Sequence, residues 1–167
     1  WGRDWFGLPW ASYSSDYGVF LGAGFATRSY GFRLEPYASQ HSLKAGWAFG
    51  ASQPKIDYSG EFHRSNSRVT TGLTAYYSGL EVLRFYGFGN ETVAEEDEDR
   101  NKVRQKQVVF APSLTLPVAG PVDFTIAPAL QYAETEEGTL LVDEVKPYGY
   151  GDFGQVGALA RLRLDTR

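Results

Sequence analysis

The sequence predicts an all-β fold of long antiparallel strands, of the kind that forms part of a transmembrane β-barrel. Apolar and polar residues alternate over segments of about 10–13 residues, which is the period of a strand with two different faces. Aromatic residues make up 16% of the chain, together with 19 glycines, and aromatic residues favour strands over helices. Strands in globular proteins usually have about 5–6 residues, whereas a membrane-crossing strand needs about 9–11. Strand length therefore favours the membrane.

The alternation predicts seven strands, preceded by an aromatic-rich lead-in or linker at 1–16 and together forming a partial barrel over 17–167. The predicted strands cover residues 17–27, 39–50, 55–65, 68–77, 103–118, 123–133 and 153–165. The pattern breaks over 79–101, which is expected to be a loop with a helical turn near 80–83, and again over about 134–152.

Two further local features carry expectations about packing. Pro112 and Pro128 fall inside predicted strands, and each removes a ladder donor, so a bulge or shorter strands are expected there. The glycine-rich stretch 18–24 lacks the spacing of a phosphate-binding loop and indicates close packing against a neighbouring strand or a plug.

The alternation assigns residues to two faces. The residues expected to contact lipid are Val19, Leu21, Phe25, Leu43, Trp47, Phe49, Ile56, Tyr58, Phe62, Leu73, Tyr77, Phe110, Leu114, Leu116, Phe124, Ile126, Leu130, Tyr132, Leu162 and Leu164. The residues expected to face a lumen are Gln40, Lys44, Asp57, Glu61, His63, Gln131, Arg161 and Arg163. Buried charges need partners, so lumen arginines (Arg28, Arg64, Arg68, Arg161, Arg163) are expected to pair with Asp57, Glu61 and Asp123.

Three observations favour a membrane barrel over a soluble one. Small and uncharged residues dominate the polar face, the aromatic residues of the apolar face lie near strand ends as in interfacial girdles, and short turns at 51–54 and 119–122 contrast with long acidic connections elsewhere. The alternative is a soluble lipocalin-like barrel that turns its apolar face inward and binds an apolar ligand.

The sequence gives little support for chemistry. The absence of cysteine excludes disulfides, thiolate nucleophiles and cysteine metal sites. His63 lies near Glu61 and Ser65, as an outer-membrane hydrolase would require, but steps of about 7 Å along one strand are expected to be too long for hydrogen bonds, so a lumen hydrogen-bonding network is preferred.

Ligands and cofactors are likewise not indicated. The acidic run 95–99 lacks the spacing of a calcium loop and is interpreted as a solvated loop. The net charge of −4 argues against a nucleic-acid partner. No catalytic residue, metal site or cofactor is predicted.

Two stretches, SYGFRLEPYASQHSL at 29–43 and GLEVLRFYGFGNET at 79–92, resemble the BamA/TamA-type outer-membrane barrels, or bacterial surface antigen family. They are most similar to the barrels that follow a calcineurin-like metallophosphoesterase domain. The resemblance continues through VRQKQVVFAPSLTL at 103–116 and covers most of 17–165. Its most specific part is the loop motif Phe85, Tyr86, Gly87, Phe88, Gly89, Asn90 and Glu91.

This resemblance implies a barrel of about 16 strands, of which the chain would supply the N-terminal half or slightly less. It implies residence in the bacterial outer membrane, with lipids and either the remaining strands or an attached domain as partners. The implied role is a membrane anchor or a protein translocation or assembly barrel that is not itself catalytic. Any phosphoesterase ligands would lie upstream of this sequence.

Overall fold

The computed structural model describes residues 2–86, 101–136, 146 and 150–164. These residues form one antiparallel sheet of eight strands in the order β1 to β8, each hydrogen-bonded to its neighbours in sequence. The strands are β1 (Arg3–Ser14), β2 (Gly18–Gly31), β3 (Leu34–Ala48), β4 (Gln53–His63), β5 (Thr70–Arg84), β6 (Lys102–Ala119), β7 (Val122–Thr135) and β8 (Asp152–Leu164). The edge strands β1 and β8 are not paired with each other, so the sheet is open. Within the described ranges no helix is both long and apolar enough to span a membrane.

The first strand corrects the expectation of a lead-in segment at 1–16. β1 pairs with β2 along its whole length, from Arg3 opposite Ser29 to Ser14 opposite Gly18. The alternation does not predict this strand because large apolar residues occupy both of its faces. Trp5 lies on one face, and Phe6, Leu8 and Trp10 lie on the other.

The C-terminal part of β5 corrects the expectation of a loop that begins at residue 79 with a helical turn near 80–83. β5 continues to Arg84, and its pairing with β6 shifts register between Ser78 and Glu81. One extra residue in one strand of a pair is a β-bulge, which leaves the ladder locally disrupted. The bulge exchanges the two faces of β5, so the period-2 pattern of the sequence is broken there although the strand continues to Arg84.

The two strand prolines face each other across one seam. β6 and β7 are continuous through Pro112 and Pro128, and the register is the same on both sides, with Phe110 opposite Leu130 and Leu114 opposite Ile126. The expected bulge or shortening is therefore wrong at this position. Pairing is instead interrupted over 111–113, while both prolines keep their partners on the outer strands β5 and β8.

The geometry of an antiparallel ladder explains this interruption. A residue directs its N–H and C=O toward the same neighbour, and hydrogen-bonded pairs alternate with non-hydrogen-bonded ones. Pro112 and Pro128 occupy one hydrogen-bonded pair, so both missing donors fall on the seam between β6 and β7. The defect is confined to one place in the sheet.

Candidate membrane interface and polar face

The register joins the apolar residues into rows that cross the sheet. Residues directly opposite in a ladder have their side chains on the same face. One row contains Phe25, Leu43, Tyr58, Ala75, Phe110, Leu130 and Val156. By the same register, all twenty residues expected to contact lipid lie on one face, which we call the apolar face. Contact with lipid itself stays a prediction.

No element of the described part of the chain packs against the apolar face as a second layer. The central side chains of this face are about half exposed, with 48% for Phe25, 45% for Leu43 and 44% for Phe110. Among the described residues, the buried apolar ones are Phe20, Ala48, Val103 and Ala133. A soluble single domain normally buries its apolar stripe against another element, which this sheet does not do.

The opposite face, which we call the polar face, lies on the inside of a curve. In a flat sheet β1 and β5 would be four strand spacings, or about 19 Å, apart. Here Trp10 of β1, Phe20 of β2, Lys55 of β4 and Leu80 of β5 line one cavity of about 340 Å³. The Arg84 guanidinium of β5 also donates a hydrogen bond to Asp16 in the turn between β1 and β2. The sheet therefore curves around its polar face, and the apolar face is convex.

The height of the apolar band is close to that of a bilayer. Along β6, alternate residues from Val108 to Val118 are apolar, a distance of about 34 Å at about 3.4 Å per residue. At the strand tilt of about 35–45° found in membrane barrels, this corresponds to about 26 Å, close to the usual band of about 25 Å. Beyond Val108 the same face becomes charged. Lys106 lies opposite Glu134, and its Nζ is 3.3 Å from Glu134 Oε1. Tyr132 lies opposite Val108 at this boundary, where an aromatic girdle is expected.

The strand connections divide by length between the two ends of the sheet. One end carries 32–33, 64–69 and 120–121, which are all short. The other end carries 15–17 and 49–52 together with the two long connections, 85–101 and 136–151. Membrane barrels of the outer-membrane type have short turns at one end and longer loops at the other, and this chain has the same asymmetry.

The residues expected to face a lumen all lie on the polar face. In register, Lys44 is opposite Asp57, Gln40 is opposite Glu61, and Arg161 is opposite Thr125. Gln131, His63 and Arg163 belong to the same face. Of the expected arginine pairs, the register places Arg163 opposite Asp123. Arg28 instead donates from Nε to Gln40 Oε1 at 2.6 Å.

Glu61 is the centre of a hydrogen-bonded group on this face. Its Oε1 accepts a hydrogen bond from the Tyr37 hydroxyl at 2.8 Å and lies 2.8 Å from His63 Nε2. The His63 Nδ1 atom lies 3.4 Å from the Thr70 hydroxyl, and the Tyr37 ring meets the His63 ring edge-on at 5.0 Å. The expectation that Glu61 and His63 are too far apart is therefore wrong, because residues two apart on a strand lean toward each other. The expected hydrogen-bonding network is present.

His41 was assigned to neither face from the sequence, and it lies on the apolar one. It is opposite Thr27 and Gly60, and its Nδ1 lies 3.0 Å from the Tyr58 hydroxyl. Its ring also packs edge-on against Phe62 at 5.1 Å. Two polar groups on this face thus satisfy each other, which lowers the cost of placing them in an apolar environment.

The glycines of β2 lie under a large ring, as close packing against a neighbouring strand predicts. A Cβ added at Gly22 would lie 2.7 Å from the Trp10 ring, and one at Gly24 would lie 3.3 Å from it. Trp10 stacks on Phe20 with ring centroids 6.1 Å apart, and Phe20 covers Gly46. The sequence did not predict Trp10 as a member of the polar face, because β1 itself was missed.

The loop motif is described only at its start. Phe85 N–H donates to the Asn101 carbonyl oxygen at 2.9 Å, which ties the two sides of the connection together. Residues Gly87, Phe88, Gly89, Asn90 and Glu91 lie outside the described residues, as does the acidic run 95–99. In the described part of the chain, no three His, Cys, Asp or Glu residues are grouped to hold a metal ion.

No family model, no curated protein and no solved structure matches the chain.

Proposed function

We propose that this chain is a membrane-spanning part of an outer-membrane β-barrel, which anchors an attached domain or acts as a translocation or assembly barrel and does no chemistry itself. One observation carries the proposal. The convex side of the curved sheet is a continuous apolar band, and the concave side is polar. A membrane barrel has this arrangement of faces.

The free energy of solvation supports placing the apolar face in a membrane. Exposed apolar patches on soluble monomers rarely exceed a few hundred Å², and transfer of apolar surface out of water stabilises by about 25 cal/mol per Å². A band that crosses all eight strands with half-exposed Leu, Phe, Ile and Tyr residues exceeds such a patch. Acyl chains would cover it, and the pairing of β2 to β7 on both sides satisfies most ladder groups, as a bilayer core requires, with a gap at the proline pair of β6 and β7.

The two edge strands of the sheet require further strands if the sheet lies in a membrane. β1 and β8 each present one side without a strand partner in the described sheet. An unpaired backbone group in hydrocarbon costs several kcal/mol, so both edges must meet further strands in the membrane. The resemblance to the bacterial surface antigen family suggests where such strands come from, namely a larger barrel.

The soluble lipocalin-like barrel is the competing hypothesis, and it predicts the opposite arrangement. Such a barrel shelters its apolar face inside and exposes charged residues outside. In this sheet the sheltered side carries Glu61, His63 and Lys44, and the outer side carries Leu43 and Phe110. The direction of curvature therefore favours the membrane barrel.

Fluorescence quenching tests the proposal on both faces. We would prepare one variant that keeps only Trp47, on the apolar face, and a matched one that keeps only Trp10, on the polar face, with the other tryptophans replaced by phenylalanine. Each would be unfolded in urea and diluted into vesicles whose acyl chains carry bromine. We expect strong quenching of Trp47 and weak quenching of Trp10. A compact fold in buffer with Trp47 unquenched in vesicles would refute the proposal, and the reverse order of quenching would invert the faces.

A further inference from the structure

One part of the polar face is not polar. Three successive positions of β1 on this face carry Phe6, Leu8 and Trp10. Phe6 and Leu8 are 64% and 56% exposed, although they lie on the concave side of the sheet. Large apolar side chains left uncovered on a sheltered surface mark a site for an apolar ligand or partner.

The neighbouring strands turn these residues into the wall of a trough. Opposite them in β2 lie Ala26, Gly24 and Gly22; Ala26 and Gly24 form a low floor, whereas the Trp10 ring covers Gly22. Beyond the floor, β3 contributes Ser42 and Lys44. The resulting trough has a volume of about 410 Å³, within the range of about 300–1,000 Å³ usual for small-molecule sites. We call this cavity the β1–β3 trough.

The trough has one closed end. The Trp10 ring lies across Gly22 and Gly24 and stacks on the buried Phe20. At the other end, Asp4 Oδ2 accepts a hydrogen bond from the Tyr30 hydroxyl at 2.7 Å. Arg28 lies opposite Asp4 in register, but the cation among the residues that line the trough is Lys44, on the opposite wall.

Lys44 supplies a cation at that wall. Its Cγ lies 3.6 Å from a Cβ added at Gly24, so its aliphatic stem leans over the floor of the trough. Asp57 is opposite Lys44 in register, yet no carboxylate of the described residues lies within 4 Å of the Lys44 ammonium. The charge is therefore available to a ligand, while the stem adds apolar surface.

We propose that the β1–β3 trough binds an amphiphile with an acyl chain and an anionic head, a fatty-acid carboxylate being its simplest form. The acyl chain lies on the floor between Phe6, Leu8 and Trp10, and the carboxylate accepts hydrogen bonds from the Lys44 ammonium. Charge-assisted hydrogen bonds of this kind are stronger than neutral ones. The inference goes beyond the proposed function, because it concerns the polar face and not the lipid-covered one.

The test uses the full chain that keeps only Trp10, folded in vesicles without bromine, with 11-bromoundecanoate as the probe. We expect saturable quenching of Trp10, whereas Trp47 in its own single-tryptophan variant is quenched in proportion to the probe dissolved in the bilayer. Lys44→Gln should weaken binding of the acid about tenfold, the size of a lost charged hydrogen bond. Binding of 11-bromoundecanol should change little. Arg161→Gln, a cation of the same face far from the trough, is the matched control.

A second variant addresses the acyl chain. Ala26→Leu fills the floor between Phe6 and Ser42, so it should abolish saturable quenching by both probes. Quenching of Trp10 that only follows partition into the bilayer, or an unchanged affinity in Lys44→Gln, would overturn the proposal. Protection of Trp10 from both probes would also overturn it and would indicate a protein segment in the trough. Membrane insertion is read separately from Trp47 and brominated lipid, so failure of one proposal is distinguishable from failure of the other.

Discussion

The proline pair between β6 and β7 gives a quantitative prediction, because its two missing donors face one seam. Pro112→Val supplies an N–H that the carbonyl of residue 128 can accept, and Pro128→Val supplies the reciprocal bond. The side chains of both residues belong to the apolar face, where valine is well tolerated in a strand. Each substitution should therefore stabilise the folded sheet.

The magnitude follows from two opposing contributions. Under the proposed membrane placement, satisfying a carbonyl that acyl chains shield from water contributes about 1–3 kcal/mol. Loss of the conformational restriction that proline imposes on the unfolded chain costs about 0.4–1 kcal/mol. The net increase in the free energy of unfolding is therefore about 1 kcal/mol for each single variant and about 2 kcal/mol for the double variant, since the two hydrogen bonds are separate.

Reversible urea unfolding from vesicles, followed by tryptophan fluorescence, measures these differences. Ile126→Val is the control, because it removes one methylene from the apolar face and leaves the ladder unchanged; it should lower stability slightly. Amide hydrogen exchange adds a local readout, in which Phe110 and Leu130 beside the gap become more protected in the double variant. If both proline variants lose stability as the control does, the register deduced for this seam is wrong.

Three other predictions follow from the two faces. Leu43→Arg should lower membrane folding stability by about 2–4 kcal/mol near mid-bilayer, whereas Lys44→Ala on the opposite face should cost much less, as measured by urea titration in vesicles; equal losses would contradict the face assignment. Gly46→Ala should destabilise by about 1–3 kcal/mol because its new Cβ meets the Phe20 ring, while Gly154→Ala, with open space around it, should be neutral in the same titration. The unmodified chain and His63→Ala should both show only background lipid-hydrolysing activity. Activity above background in the unmodified chain that His63→Ala loses would instead support a hydrolase.

The sequence predicted the strands wherever one face is apolar and the other is not. β4, β7 and β8 were predicted within about two residues of their observed ends, the uncertainty usual for strand boundaries. β1 was missed because Trp5 lies on one face and Phe6 and Leu8 on the other, so no period-2 signal exists. The end of β5 was missed because a single bulge after Ser78 exchanges the faces.

Side-chain arrangements on the polar face were less predictable. The sequence indicated a hydrogen-bonding network, but the distance argument against a Glu61–His63 contact used Cα spacing and ignored the lean of the side chains, which brings the two within 2.8 Å. The β1–β3 trough depends on which residues of three strands are opposite one another. Pairing register is set by the turns and by the buried pattern, so it is not readable from β1 alone.

The choice between a membrane barrel and a soluble barrel shows what a pattern of alternation lacks. Alternation separates two faces, but it is the same for a sheet whose apolar face is inside and for one whose apolar face is outside. Curvature distinguishes them, and it is visible where side chains of non-adjacent strands meet, as Arg84 meets Asp16. That contact lies on the polar side together with the cavity lined by Trp10 and Lys55. Because the charged face is concave, the apolar face lies outside, and we propose that acyl chains cover it, since its band of about 26 Å matches the height of the apolar band of membrane barrels.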